Sequence, residues 1–137
     1  MREIMFRAWD GSKMHYPETN YAYLLQWTRA GGWELWWKWG GEEKIITDNP
    51  LMQYTGLHDK NGKEIWEGDI VSMEFWNPIT KTYELPSHYR HVVIEWSNDR
   101  FTGTNHKGLV RTMDTIRIRG AVIGNVWENP ELLGGAE

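Results

Sequence analysis

Few residues in this chain have types and spacings that could do chemistry. There is no cysteine among the 137 residues, so thiolate nucleophiles, thiolate metal sites and disulfides are all excluded. No serine sits in a glycine-flanked elbow of the kind that exposes a nucleophile. His88 and His91 are three apart, with His106 further on. On a helix that spacing would put two imidazoles on one face, as zinc sites require. Here it falls where a strand begins, and strand positions three apart point to opposite faces. Asp59-Lys60-Asn61-Gly62 resembles the start of a calcium loop, but the later ligands and the closing glutamate are missing, and a hairpin turn accounts for it. Gly103, Thr104 and Gly108 are scattered and form no phosphate-cradling loop before a helix. The acidic pair Glu42-Glu43 lies next to Gly40-Gly41 and reads as a solvated turn. The sequence therefore predicts no catalytic residue, no metal site and no cofactor. A small hydrolase built from carboxylates on distant strands is the weakest of the functional readings.

Recognition is better served than catalysis. The chain carries 10 tryptophans, and an indole is costly to leave in water. Trp33-Glu34-Leu35-Trp36-Trp37-Lys38-Trp39 gathers four of them. As a strand it places Trp33, Leu35, Trp37 and Trp39 on one face, where a core would absorb them. Trp36 falls on the other face with Glu34 and Lys38, and a tryptophan on a polar face suggests a contact surface. Trp36, with Trp33 and Trp39 beside it, is thus the candidate protein-interaction surface. A second candidate is basic. Arg117 and Arg119 share one outward face if Thr115–Arg119 is a strand, and Arg111, Lys107, Arg90 and Arg100 lie near in sequence. Trp76, Trp96 or Tyr89 could then stack on bases. The ordinary alternative is a solvated strand face whose arginines pair with nearby acids.

Composition limits these readings. The formal net charge of -4 gives no global field for nucleic acid, leaving only a local patch. The first ten residues carry Arg2, Glu3, Arg7 and Asp10 and no apolar signal-like run. No segment approaches the roughly 18 apolar residues of a membrane span. The expectation is a cytoplasmic protein without a membrane partner.

The elements that must position these residues are mostly strands. Ile4–Trp9 alternates, Asp10-Gly11 supplies a hairpin turn, and Lys13–Tyr16 returns until Pro17. Tyr21–Thr28 and Trp33–Trp39 alternate between glycine corners, Gly31-Gly32 and Gly40-Gly41. Short helical packing around Leu24 and Leu25 is the alternative for the first of them. After Asn49-Pro50 come Leu51–Thr55, a turn at His58–Gly62, and strands over Ile70–Trp76, His91–Trp96 and Arg100–Thr104. Thr115–Arg119, with Ile116 and Ile118 inward, and Ala121–Trp127 follow. Asn77–Ser87 reads as a long loop and the last four residues as a frayed tail. The expected organisation is an aromatic β meander over residues 1–48 and a small barrel over residues 49–137.

Three segments resemble the YopX family of phage and prophage proteins. The first is Phe6-Arg7-Ala8-Trp9-Asp10. The second runs through Met52-Gln53-Tyr54-Thr55-Gly56-Leu57, Asp59-Lys60-Asn61-Gly62-Lys63-Glu64-Ile65 and Glu67-Gly68-Asp69-Ile70-Val71. The third is Ile123-Gly124-Asn125-Val126-Trp127-Glu128-Asn129-Pro130-Glu131-Leu132-Leu133. The resemblance implies an SH3-like barrel in the C-terminal half, following the N-terminal antiparallel meander, and a phage or prophage origin. It brings no activity and no site residues. Asn20–Thr47, with the tryptophan cluster, departs most from the family pattern. The physical content of the shared segments is turns and strand ends: Asn61-Gly62 suits a type I′ turn, and Asn129-Pro130 would stop the last strand. The functional expectation is a non-catalytic protein-interaction module that binds itself as a homo-oligomer, or a host or phage protein. A nucleic-acid-binding accessory protein is the alternative.

Overall fold

A computed structural model describes residues 4–19, 21–29, 32–73, 76–83, 91–105, 108 and 110–133. Lys107, His88, His106, Tyr89, Arg90, residues 84–87 of the expected loop and the last four residues lie outside the described residues, as do the side chains of Trp76 and Asn77. The fold is mainly β. Its contacts cluster into two compact units, one running to Tyr54 and the other from Thr55 onward.

The first unit begins with β1 (Phe6–Trp9) and β2 (Met14–His15), joined by the turn foreseen at Asp10-Gly11. Gly11 sits at φ +107°, a region closed to most side chains. Asp10 Oδ1 accepts the backbone N–H groups of Ser12 and Lys13 at 2.7 and 2.8 Å, so the carboxylate fixes the turn from inside. A short 3₁₀ turn, Pro17–Thr19, follows. β3 (Tyr23–Trp27), β4 (Trp33–Trp39) and β5 (Glu42–Thr47) then form an antiparallel sheet with β4 in the centre. β6 (Met52–His58) starts by pairing with β1, Gln53 opposite Phe6.

β5 corrects the reading of Glu42-Glu43 as a turn. Both acids are strand residues, Glu42 opposite Trp39 and Glu43 opposite Lys38, and only Gly40-Gly41 turns the chain. Their polarity reflects an exposed edge strand.

In the second unit β7 (Glu64–Trp66) lies beside β6. β8 (Asp69–Met73), β11 (His91–Ser97), β12 (Arg100–Thr104), β13 (Val110–Thr112) and β14 (Gly120–Asn125) make an antiparallel sheet ordered β13-β12-β11-β8-β14. The described part of the expected loop holds a small hairpin, β9 (Trp76–Asn77) and β10 (Thr82–Tyr83).

The helix α1 (Met113–Arg119) occupies the segment expected to be a strand. Alternating isoleucines suggested a period of two, but only Ile116 is buried, while Ile118 is exposed. Ile116 joins Ile65, Val71, Met73, Val92, Ile94 and Phe101 in the core, with Met113 one helical turn earlier packed against it. Asp114 in the first turn and Arg117 and Arg119 in the last complement the helix dipole. The helix fits closely because Gly103 and Gly120 have no side chains. A Cβ on Gly103 would lie 2.6 Å from Val92 Cγ2 and 2.7 Å from Ile116 Cδ1.

Asp59 ties the family's longest motif together. Its Oδ1 accepts Asn61 N–H at 2.8 Å and Lys63 N–H at 2.9 Å. Its Oδ2 accepts Val122 N–H, 63 residues away, at 2.8 Å. Asp59 N–H donates to Lys63 C=O and Gly62 N–H to Asp59 C=O. Gly62 alone in this turn has positive φ, so the loop is a three-residue hairpin with a glycine bulge and not the expected type I′ turn. The positive-φ pair that type I′ requires occurs at Asn98-Asp99, φ +53° and +69°. The last strand ends at Asn125, before the proline. Asn125 Oδ1 accepts the N–H groups of Trp127 and Glu128 and turns the chain there.

Burial of Asp59 raises its pKa; the three backbone bonds and the Lys63 charge together outweigh that and hold it below the ordinary value of 3.8. The lowered folded-state pKa means its stabilisation is complete above the unfolded value and is lost as pH falls through the folded one. Asp59→Asn is expected to cost about 2–3 kcal/mol in urea unfolding at pH 7. The gap from the parent chain should narrow in acid. A gap that does not change with pH would show that the charge is not what binds the turn.

Candidate functional site

Each tryptophan's role follows from strand parity and from which face of the β3–β4–β5 sheet is covered. Leu35, at the centre of β4, is 1% exposed. Tyr23, opposite Trp37, and Leu25, opposite Leu35, share its face and are half-buried. This is the inner face. Trp33 and Trp39 belong to it by parity but lie at its two ends, where both are exposed. The expectation that a core absorbs them fails because the covered area ends before the strands do. Trp33 packs edge-on against Trp27 across the hairpin, with ring centroids 5.1 Å apart.

The outer face carries Trp36. Leu24 and Ile45 flank it across the sheet, 42% and 46% exposed. Trp36 Nε1–H donates to Glu34 Oε1 at 3.2 Å, and Lys38 Nζ lies 5.6 Å from the centre of the Trp36 ring. Lys38 also pairs with Glu43 at 3.2 Å. The result is an apolar row, Leu24–Trp36–Ile45, held between charged and polar neighbours. Trp36 therefore stands on the opposite face from Trp33 and Trp39.

The basic candidate comes apart. On α1, residues two apart are about 200° apart around the axis, so Arg117 and Arg119 do not share a face. Arg117 Nε lies 4.0 Å from Asp114 Oδ1, and Arg111 Nη1 donates to Val110 C=O. Lys107 lies outside the described residues. Trp96 is exposed and packs edge-on against Phe101 on the neighbouring strand.

Among the described residues no three His, Asp or Glu side chains group to hold a metal ion. His91 Nδ1–H donates to Leu132 C=O at 2.6 Å, which seats the C-terminal 3₁₀ turn, Pro130–Leu133. No helix among them is long and apolar enough to cross a membrane.

One polar chain went unforeseen. Buried His15 bonds Asp10 Oδ2 through Nε2 at 2.7 Å and the Tyr23 hydroxyl through Nδ1 at 2.6 Å. With the ring proton on Nε2, the imidazole donates to Asp10 and accepts from Tyr23. The His15 bond, followed by the Lys13 and Ser12 amides, holds the Asp10 carboxyl well below the usual carboxylate range. Burial, then the Asp10 charge, pushes the Tyr23 phenol up. The order carboxylate–imidazole–hydroxyl fastens β3 to the β1–β2 turn. Its sequence signal was only the polar types at Asp10 and His15.

The comparisons with known proteins agree with this architecture. The family model described as YopX protein matches residues 5–134. The chain belongs to the YopX family. It is similar to the crystal structure of protein yopX from Bacillus subtilis, with a TM-score of 0.66 and 24% identity over 94% of this chain and 97% of that one. It is also similar to the crystal structure of protein EF1440 from Enterococcus faecalis, with a TM-score of 0.56 and 27% identity over 97% of this chain and 99% of that one. No curated protein matches the sequence. In the YopX-like segments around Asp59 and Asn125, these two side chains bond backbone N–H groups at turns and strand ends.

Tyr23→Phe should leave His15 Nδ1 without a partner and cost about 1–2 kcal/mol in urea unfolding followed by tryptophan fluorescence. An unchanged midpoint would remove the Tyr23 bond from the account of this unit.

Proposed function

We propose that the chain is a non-catalytic protein-interaction module whose contact surface is the outer face of β3–β4–β5. The observation that carries the reading is the Leu24–Trp36–Ile45 row, an apolar line across an open sheet face with an indole at its centre. Interface centres are enriched in tryptophan and depleted in charge, with polar groups at the rim. Glu34, Lys38 and Glu43 supply such a rim. Trp36 is already held by Glu34 and Lys38, so little side-chain entropy remains to be lost on binding. A phage or prophage origin, which the sequence resemblance implies, would make a host protein one natural class of partner. The nucleic-acid reading has less support, because the helix separates the arginines on which it was based.

A photo-cross-linker tests this directly. Ile45→p-benzoylphenylalanine, expressed in a bacterium and irradiated, should give discrete protein adducts. The same group at fully exposed Tyr21, off the sheet face, should give none of them. Identical adduct patterns from both positions, or no adduct from Ile45, would contradict the assignment of this face.

A further inference from the structure

We infer that the outer face of β3–β4–β5 docks a second copy of this chain about a two-fold axis lying along the Leu24–Trp36–Ile45 row. The inference rests on the reading of that face as a contact surface and names its occupant. The argument is the order of charges on β4. Two residues before Trp36 on the same face stands Glu34, and two residues after it stands Lys38. The pattern changes sign about the tryptophan.

Two sheets packed face to face keep their strands roughly aligned. An axis along the apolar row turns β4 antiparallel to its copy. Trp36 then faces Trp36 of the second copy, and Leu24 and Ile45 each face their own equivalents. Glu34 of each chain faces Lys38 of the other, so two opposite-charge pairs flank the apolar centre. Glu43, the other charged residue on this face, is paired with Lys38 of its own chain. The alternative two-fold axis runs along β4 and would stack Glu34 on Glu34 and Lys38 on Lys38, a like-charge arrangement that disfavours it. Edge-to-edge pairing is also disfavoured, because β5 presents Glu42, Glu43 and Lys44 along its edge. Three apolar side chains per copy make a small centre, so the association is weak and depends on concentration.

Sedimentation equilibrium across a concentration series tests the inference. The native chain should move from monomer to dimer with rising concentration, and added salt should oppose the move. Glu34→Lys and Lys38→Glu, each checked for an unchanged circular dichroism spectrum, should separately weaken association about tenfold. An equimolar mixture of the two variants should restore it, because two lysines on one chain then meet two glutamates on the other. A chain that stays monomeric at every concentration overturns the inference. So does a dimer that ignores both variants, or a mixture no tighter than its components. A cross-link from Ile45 to a different protein would leave the wider interaction reading standing while removing the second copy as occupant.

Discussion

Burying Leu35 is what places Trp36 on the open face. Side chains alternate along a strand, so the residue that a core claims at the centre of β4 sends its neighbour to the opposite face. Tyr23 and Trp37 are drawn inward with Leu35, and the His15 bond to the Tyr23 hydroxyl fixes which face of β3 is covered. With the sheet oriented by these contacts, Leu24 lines up with Trp36 by direct pairing, and the register shift in β5 between Thr47 and Ile45 brings Ile45 opposite Trp36 as well. A sheet of three strands has one face to give to its own core. Apolar side chains on both faces leave one set for something else.

The second unit answers a different requirement. Its short strands must be brought into register by turns, and the side chains that do this are carboxylates and amides bonded to backbone N–H groups. Asp59 joins its own hairpin to β14, Asp69 Oδ2 accepts Trp66 N–H at 2.7 Å, and Asn125 ends the last strand. Each is buried. A buried carboxylate is tolerated only where several donors surround it, and a turn supplies them within a few residues. The residues that looked like a fragment of a calcium loop are spent in this way.

The strands with alternating apolar residues, the turn positions and the parity that isolates Trp36 were legible in the sequence, because all depend on neighbours within a few residues. The type of turn at Asn61-Gly62 was not, since Asp59 reaches over it to a strand 63 residues away. The helix at Met113–Arg119 was hidden by Ile118, which completes a strand-like alternation yet stays in water. Gly103 and Gly120 leave the space in which the helix seats Ile116. β5 escaped because its charged first half follows Gly40-Gly41 and reads as a turn, and the adjacent Ile45-Ile46 do not alternate with polar residues. The exposure of Trp33 and Trp39 depends on where the covered area ends, which local sequence does not encode.

The account of a self-associating face predicts that Trp36 reports contact and that Trp39 does not. The most direct measurement is a dilution series followed by the indole N–H resonances of the two tryptophans in a nitrogen-15 NMR spectrum. The Trp36 resonance should move with protein concentration while the Trp39 resonance stays fixed. A Trp36 signal that holds its position, or that moves no more than that of Trp39, would contradict the account.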